Sequence, residues 1–319
     1  MTDKMNRSEP ATSGVTSQDT EVGSVFVSNY PPYSFWTEGG VSQATAALEA
    51  PPGMDAMLGK YIHIPFCRKR CKFCYYKVYT DKNAGEVGRY LDAVVSEAEM
   101  YAEKAAVAGR PLKFVYFGGG TPSFISSKHL ESLVSRLNKI LPWDGAEEVT
   151  IEVEPGTLTE RKVETIREVG FTRLSLGVES FSDEVLKENG RAHLSPEIDR
   201  MIPWIKAQDF DQLNLDLISG MVGETWDSWR DAIRKTIDID PDSVTIYQME
   251  LPYNTVYSKE ILVEGKRTPV ASWAQKREWL RRAFERFENA GYGVSSGYTL
   301  VKDPETCNFS YRDSLWHGA

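Results

Sequence analysis

From residue 60 onward, short apolar runs alternate with longer amphipathic stretches. Residues 61–64 read as a brief apolar strand. Residues 86–106 follow, with Val87, Tyr90, Leu91, Val94, Ala98 and Tyr101 at helical spacing along one face. The pattern continues with strand 114–117, helix 127–141, strand 149–153, helix 158–169 and strand 173–177. Short helices before 208, strand 213–218, helix 225–238, strand 243–249 and a long helix over 271–290 complete it. Six strands alternating with helices predict an α/β unit with a parallel sheet that can curve into a partial barrel. In such a sheet the chemistry collects at the C-terminal ends of the strands.

Upstream the pattern changes. Residues 1–23 are rich in Ser, Thr, Asp and Glu without apolar periodicity and read as a disordered leader. Residues 24–58 carry Phe26, Tyr30, Tyr33, Phe35 and Trp36, broken by Pro31 and Pro32, and read as an irregular packed arm. Residues 59–255 form the expected core, and 256–319 the start of a C-terminal region.

Composition narrows the picture. The 319 residues are 41% hydrophobic, enough for one large domain or two small ones. No run approaches the roughly 18 consecutive apolar residues of a membrane span, and the N-terminus lacks the pattern of a secretory signal, so a cytoplasmic location is expected. The net charge of -9, with no long basic stretch, argues against a large nucleic-acid footprint. A nucleic-acid-modifying activity is correspondingly disfavoured.

Only four cysteines occur, and Cys67, Cys71 and Cys74 fall within eight positions, directly after the first strand. That density suits metal binding rather than a disulfide scaffold. A CxxxCxxC loop can wrap three thiolates around a 4Fe-4S cluster, whose fourth iron is left open. S-adenosylmethionine (SAM) can bind that iron through its amino and carboxylate groups, and an electron from the cluster then releases a 5'-deoxyadenosyl radical. A zinc site completed by His63 is the alternative, but His63 lies inside the strand rather than on the loop.

Other segments fit ligand binding. Gly118-Gly119-Gly120-Thr121-Pro122 follows the second strand, where glycine permits positive φ and close approach of a ligand to the backbone. Glu152 and Glu154 end the third strand on one shared face. Asp216 is a lone carboxylate within an apolar run, a placement that demands a partner.

The stretch from Tyr61 through Pro65, Phe66 and Cys67, with Cys71, Phe73 and Cys74, resembles the entry to the radical SAM domain of the oxygen-independent coproporphyrinogen III oxidase family, which includes a related haem chaperone. The resemblance runs from about residue 60 to residue 319 and implies a radical SAM partial (β/α)6 TIM-type barrel with an N-terminal arm and an incomplete C-terminal region. It implies that Cys67, Cys71 and Cys74 hold the cluster and that Tyr61, Phe73, Gly119, Gly120, Thr121, Glu152, Glu179, Arg191 and Asp216 contact SAM. It further implies an oxidoreductase of haem biosynthesis that decarboxylates propionates of a tetrapyrrole and is served by an electron donor such as flavodoxin or ferredoxin.

Several positions depart from the oxidase pattern. Tyr75-Tyr76 stands where the oxidase has Gly-Cys, Glu179 replaces Gln, and Gly220-Met221-Val222 replaces Gly-Leu-Pro. The segment from Tyr247 to Pro252 is closer to the haem-chaperone branch. A haem-binding chaperone, or radical chemistry on another substrate such as methyl transfer, ring formation or haem breakdown, is therefore the alternative. Cys307 and His317 are the late candidates for haem ligation, each read as structural.

Overall fold

The computed structural model describes residues 35–53, 56–265, 270–305, 307 and 309–317. The leader over 1–23, and Phe26, Tyr30 and Tyr33 of the arm, lie outside the described residues. Where the arm is described it is helical: α1 spans Glu38–Glu49 and has no buried residue. Phe35 and Trp36 are 73% and 59% exposed. Over residues 38–49 the arm is helical rather than irregular, because the local helix propensity of this stretch prevails.

The core then alternates as the periodicity predicts. In chain order it runs β1 (Gly59–Ile64), α2 (Ala84–Ala102), β2 (Phe114–Gly119), α3 (Ser127–Ile140), β3 (Glu148–Val153) and α4 (Glu160–Glu168). It continues with β4 (Arg173–Glu179), α5 (Asp183–Glu188), α6 (Ser195–Ala207), β5 (Gln212–Ser219), α7 (Trp226–Ile239) and β6 (Ser243–Gln248). α2 stops at Ala102, short of 106, and passes into turns that reach Gly109 at φ +70°. Beyond β6 lie α8 (Val256–Leu262), α9 (Trp273–Asn289), β7 (Gly293–Val294), β8 (Thr299–Val301) and α10 (Ser310–His317).

The sheet order is β1-β2-β3-β4-β5-β6-β8-β7. The first six strands are parallel neighbours, while β8 runs antiparallel to β6 and β7 antiparallel to β8. Strand alternation gives the sheet two unlike faces. Ile62, Ile64, Val115, Phe117, Ile151, Leu174, Leu176, Leu215, Leu217, Val244 and Ile246 belong to one buried core with Leu91, Leu130, Leu137, Ile166, Trp229 and Phe287 of the helices. The opposite face carries Tyr61, Tyr116, Glu152, Ser175, Asn214, Asp216, Thr245 and Tyr247.

A parallel sheet covered on both sides by helices is apolar throughout. A polar, tyrosine-rich second face therefore marks the side on which a ligand can be received. Its buried polar groups satisfy one another across the strands. Ser175 Oγ donates to Asp216 Oδ2 (2.8 Å), and Asn214 Nδ2 donates to Asp216 Oδ1 (3.0 Å). Asn214 Oδ1 in turn accepts from Ser243 Oγ (2.9 Å) and Thr245 Oγ1 (3.1 Å).

Candidate active site

The loop after β1 is held at its base and its middle. Tyr79 N donates to Pro65 O (2.8 Å) and Cys67 N to Tyr79 O (3.1 Å), closing the loop. Lys72 N donates to Asn189 O (3.0 Å) and Val256 N to Lys72 O (2.9 Å), pinning it to the end of α5 and the start of α8. Cys67, Cys71 and Cys74 then line one cavity of about 120 Å3, together with Phe73, Gly119, Gly120, Thr121, Glu154 and Arg191.

The thiols stand around this cavity and are free of disulfides. Two of them meet donors: Thr121 Oγ1 lies 3.3 Å from Cys67 Sγ, and Arg191 Nη1 lies 3.4 Å from Cys71 Sγ. Burial pushes the Cys67 thiol up to about 11, against the lowering effect of Thr121, and raises that of Cys74 as well. Thiolates here therefore call for a positive centre, and a hydroxyl and a guanidinium already face the sulfurs as they do around iron–sulfur clusters. The donor set fits a 4Fe-4S cluster. His63 stands apart from this cavity: its Nδ1 meets the Tyr61 hydroxyl (3.2 Å), and its ring occupies the space where a Cβ on Gly119 would stand. Among the described residues no three His, Cys, Asp or Glu side chains form a site for a single metal ion.

The turn after β2 explains its glycines. Gly119 has φ +116°, and a Cβ there would come within 2.6 Å of the His63 ring. A Cβ on Gly120 would come within 3.0 Å of the Ile64 and Phe66 carbonyl oxygens. Their amides are already engaged, Gly119 N by Glu152 Oε2 (3.1 Å) and Gly120 N by Ile64 O (2.8 Å). What this turn can offer an ammonium group is carbonyl oxygen.

Glu152, Glu179 and Asp216 form a second group on the polar face. Glu152 accepts from the Tyr116 hydroxyl (2.8 Å) besides the Gly119 amide. Burial is the main cause that lifts Glu152 and Glu179 to about 7 and Asp216 to about 6. Repulsion from neighbouring carboxylates adds to it for Glu152 and Glu179, while the bonds from Ser175 and Asn214 and nearby arginines oppose it for Asp216. Glu179 sits at a register shift of β4 with φ +64°, an unusual conformation for a side-chain-bearing residue. Tyr61 lies to one side, stacked on Tyr116 with ring centroids 5.9 Å apart.

Arg191 joins the two groups. Besides Cys71, its Nη1 is 3.6 Å from Glu179 Oε1, and its Nη2 donates to Gly177 O (2.8 Å). Its buried Nε has no partner among the described residues, which suits a ligand carboxylate. Sequence reasoning carried Glu152 forward but left Glu154 unused. Glu154 lines the cysteine cavity and accepts from His193 Nδ1 (2.7 Å) and Gly156 N (3.1 Å). Burial works against its charge, but the bond to His193, the Arg191 charge and the Gly156 amide outweigh burial and hold it below the usual carboxylate range. Tyr116 and His193 were also missed. Alternation with the buried Val115 and Phe117 along β2 was a signal for Tyr116, whereas nothing local distinguishes His193.

The relatives carry tetrapyrrole-related names. The chain is 30% identical over 244 residues to the haem chaperone HemW of Synechocystis sp., covering 73% of this chain and 58% of that protein. It is 31% identical over 238 residues to the oxygen-independent coproporphyrinogen III oxidase of Pseudomonas aeruginosa, covering 74% of this chain and 51% of that one. The chain thus spans little more than half the length of these relatives. The solved structure of coproporphyrinogen III oxidase (HemN) from Escherichia coli, described as a radical SAM enzyme, superimposes with a TM-score of 0.75 over 91% of this chain and 65% of that one. At 24% identity this likeness establishes a shared fold. Residues 61–236 match the Radical SAM superfamily profile, and with three cysteines on the loop after β1 the chain belongs to that superfamily, whose members use a 4Fe-4S cluster and SAM.

Proposed function

We propose that Cys67, Cys71 and Cys74 hold a 4Fe-4S cluster, that SAM is cleaved beside it, and that the substrate is a tetrapyrrole whose propionates are oxidatively decarboxylated, as in coproporphyrinogen III oxidation. The observation that carries this reading is Arg191, which touches the Cys71 sulfur on one side and the Glu179 carboxylate on the other. One residue thereby ties the thiol cavity to the polar face where a nucleoside can lie. When bound, the cluster supplies one electron and SAM supplies the carbon radical.

The chain's own residues bind and orient. Arg191 Nε is placed for the SAM carboxylate, and the carbonyl oxygens of Gly119 and Gly120 for its ammonium. Asp216, fixed by Ser175 and Asn214, and Glu179 are suited to accept from ribose hydroxyls. Glu152 holds the Gly119 turn, Thr121 faces Cys67, and Tyr61 and Phe73 form apolar walls. A one-electron donor protein such as flavodoxin or ferredoxin completes the proposal.

A second reading, haem binding as a chaperone, is favoured by one feature. Tyr75 and Tyr76 pack against each other beside Cys74, with ring centroids 4.5 Å apart and planes tilted by 31°, where the oxidase pattern has Gly-Cys. An exposed ring such as that of Tyr76 can present a π face to a flat macrocycle. Anaerobic incubation of reconstituted protein with SAM, dithionite and coproporphyrinogen III, read by mass spectrometry, separates the two. Production of 5'-deoxyadenosine with loss of CO2 from the tetrapyrrole is expected. If 5'-deoxyadenosine forms without decarboxylation while haem binds, the chaperone reading stands instead.

A further inference from the structure

Between Cys67 and Lys82 the chain places six cations, Arg68, Lys69, Arg70, Lys72, Lys77 and Lys82, against one acid, Asp81. The whole chain carries a net charge of -9, so this loop runs against the sign of the chain as a whole. Elsewhere on the surface, several cations are paired along helices, as in Arg161 with Glu164 and Glu168, Arg234 with Asp231 and Asp238, and Arg281 with Glu278. On the loop, Lys72 pairs with Glu188 and Lys82 with Asp81 and Glu86.

The other four cations are not neutralised in this way. Arg68 and Arg70 are exposed and bond to backbone carbonyls, Arg68 to Gly156 and Arg70 to Cys74 (3.2 Å) and Asn254 (3.3 Å). A carbonyl takes a hydrogen bond but brings no net charge. Lys69 and Lys77 are exposed and make no ion pair among the described residues; Lys77 lies 5.8 Å over the Tyr79 ring. Exposed tyrosines accompany them, with Tyr76 at 46% and Tyr253 at 69% exposure. Tyrosine and arginine are the side chains that anchor protein interfaces. The loop is also held rigid by its four backbone ties, so docking on it orders little.

We propose that this basic, tyrosine-bearing face is the docking surface of a small acidic one-electron donor protein. The inference rests on the cluster reading for its purpose: the donor's reduced centre loses one electron, and the cluster on the three cysteines gains it. Electron tunnelling falls steeply with distance, and this loop is the segment that carries the thiols. Unpaired cations on the surface steer an acidic partner and give association a salt dependence that buried groups do not.

The test uses the reconstituted full chain, the Lys77→Glu variant, whose side chain stands off the cysteine cavity, and the Lys69→Glu/Lys77→Glu variant. A bacterial flavodoxin is the probe, with binding read by fluorescence anisotropy at low and high salt. The parent should bind more weakly as salt rises. Lys77→Glu should weaken binding about three-fold at low salt and the double variant about ten-fold or more. In stopped flow, Lys77→Glu should slow cluster reduction by flavodoxin hydroquinone while leaving reduction by dithionite unchanged. Parent-like flavodoxin binding by the double variant overturns the proposal. So does loss of coproporphyrinogen III binding with flavodoxin binding intact, which would assign the patch to substrate carboxylates. Absence of iron from the reconstituted parent would sink the cluster reading alone, since the binding arm reads the surface without it.

Discussion

Arg191 Nη1 stands 3.4 Å from the Cys71 sulfur and 3.6 Å from a Glu179 oxygen, so one guanidinium offsets charge on both sides of the site. Around it, Glu152, Glu179 and Asp216 are lifted into the physiological range, chiefly by burial. The sign of the resulting pH effect follows directly. As pH rises from about 6 to about 8 these carboxyls ionise in the face of Arg191 and Arg173, and a ligand bearing a sulfonium is attracted to the ionised form. SAM affinity, measured by titration calorimetry, should therefore tighten across that window, and the dependence should be shallower in Glu179→Gln. A flat profile in the parent would remove the three carboxylates from the binding site. Gly119→Ala places a methyl group against the His63 ring at φ +116°. It should lower stability by about 1–3 kcal/mol in urea melts and weaken SAM binding. Of these residues, the cysteines were legible because three thiols at close spacing have few other uses. His193, buried and bonded to Glu154, was not legible, since its partner lies 39 positions away.

At the scale of elements, the six parallel strands were legible because apolar residues recur at every second position in short runs. The helices were legible because their apolar residues recur at 3.6. Ends were set by features outside the periodicity. α2 begins two residues earlier than the pattern suggests, at a capping box in which Asn83 accepts from Glu86 N (3.0 Å) and Glu86 accepts from Asn83 N (3.1 Å). α1 was hidden by the prolines and aromatics before it, and β7, β8 and α10 are too short to show a period. The turn between β5 and α7 carries its own titration: burial pushes Glu224 up to about 8, although Gly220 N donates to it (2.6 Å). Its ordinary value is 4.5, so the folded form holds the proton longer than the unfolded one. The stability it contributes is present below about pH 4.5 and lost as pH rises through about 8. Glu224→Gln should therefore reduce the fall in Tm between pH 5 and pH 8; an unchanged profile would show that Glu224 ionises normally. Trp229, fully buried with its indole N–H donating to Trp279 O (3.1 Å), anchors α7 to α9. Trp229→Ala should cost about 3–5 kcal/mol of unfolding free energy in denaturant titrations.

Across the whole molecule, an apolar sheet face packs on helices while the other face is polar, and the cysteine loop rises from the C-terminal end of β1 beside that polar face. The α/β class and the position of chemistry at the strand ends followed from the order of elements alone. The antiparallel closure by β8 and β7 did not, because pairing partners far apart in sequence leave no local trace. Substrate choice belongs to this scale too, for the polar face offers tyrosines and carboxylates that any flat, polar ligand could use. The central claim, three cysteines holding a cluster that cleaves SAM, is tested most directly by anaerobic reconstitution of the parent chain and Cys71→Ala, measuring iron, brown absorbance and 5'-deoxyadenosine release with SAM and dithionite. The parent should bind iron, turn brown and release 5'-deoxyadenosine, and Cys71→Ala should lose the absorbance and the product together. Retention of both by Cys71→Ala would contradict the account.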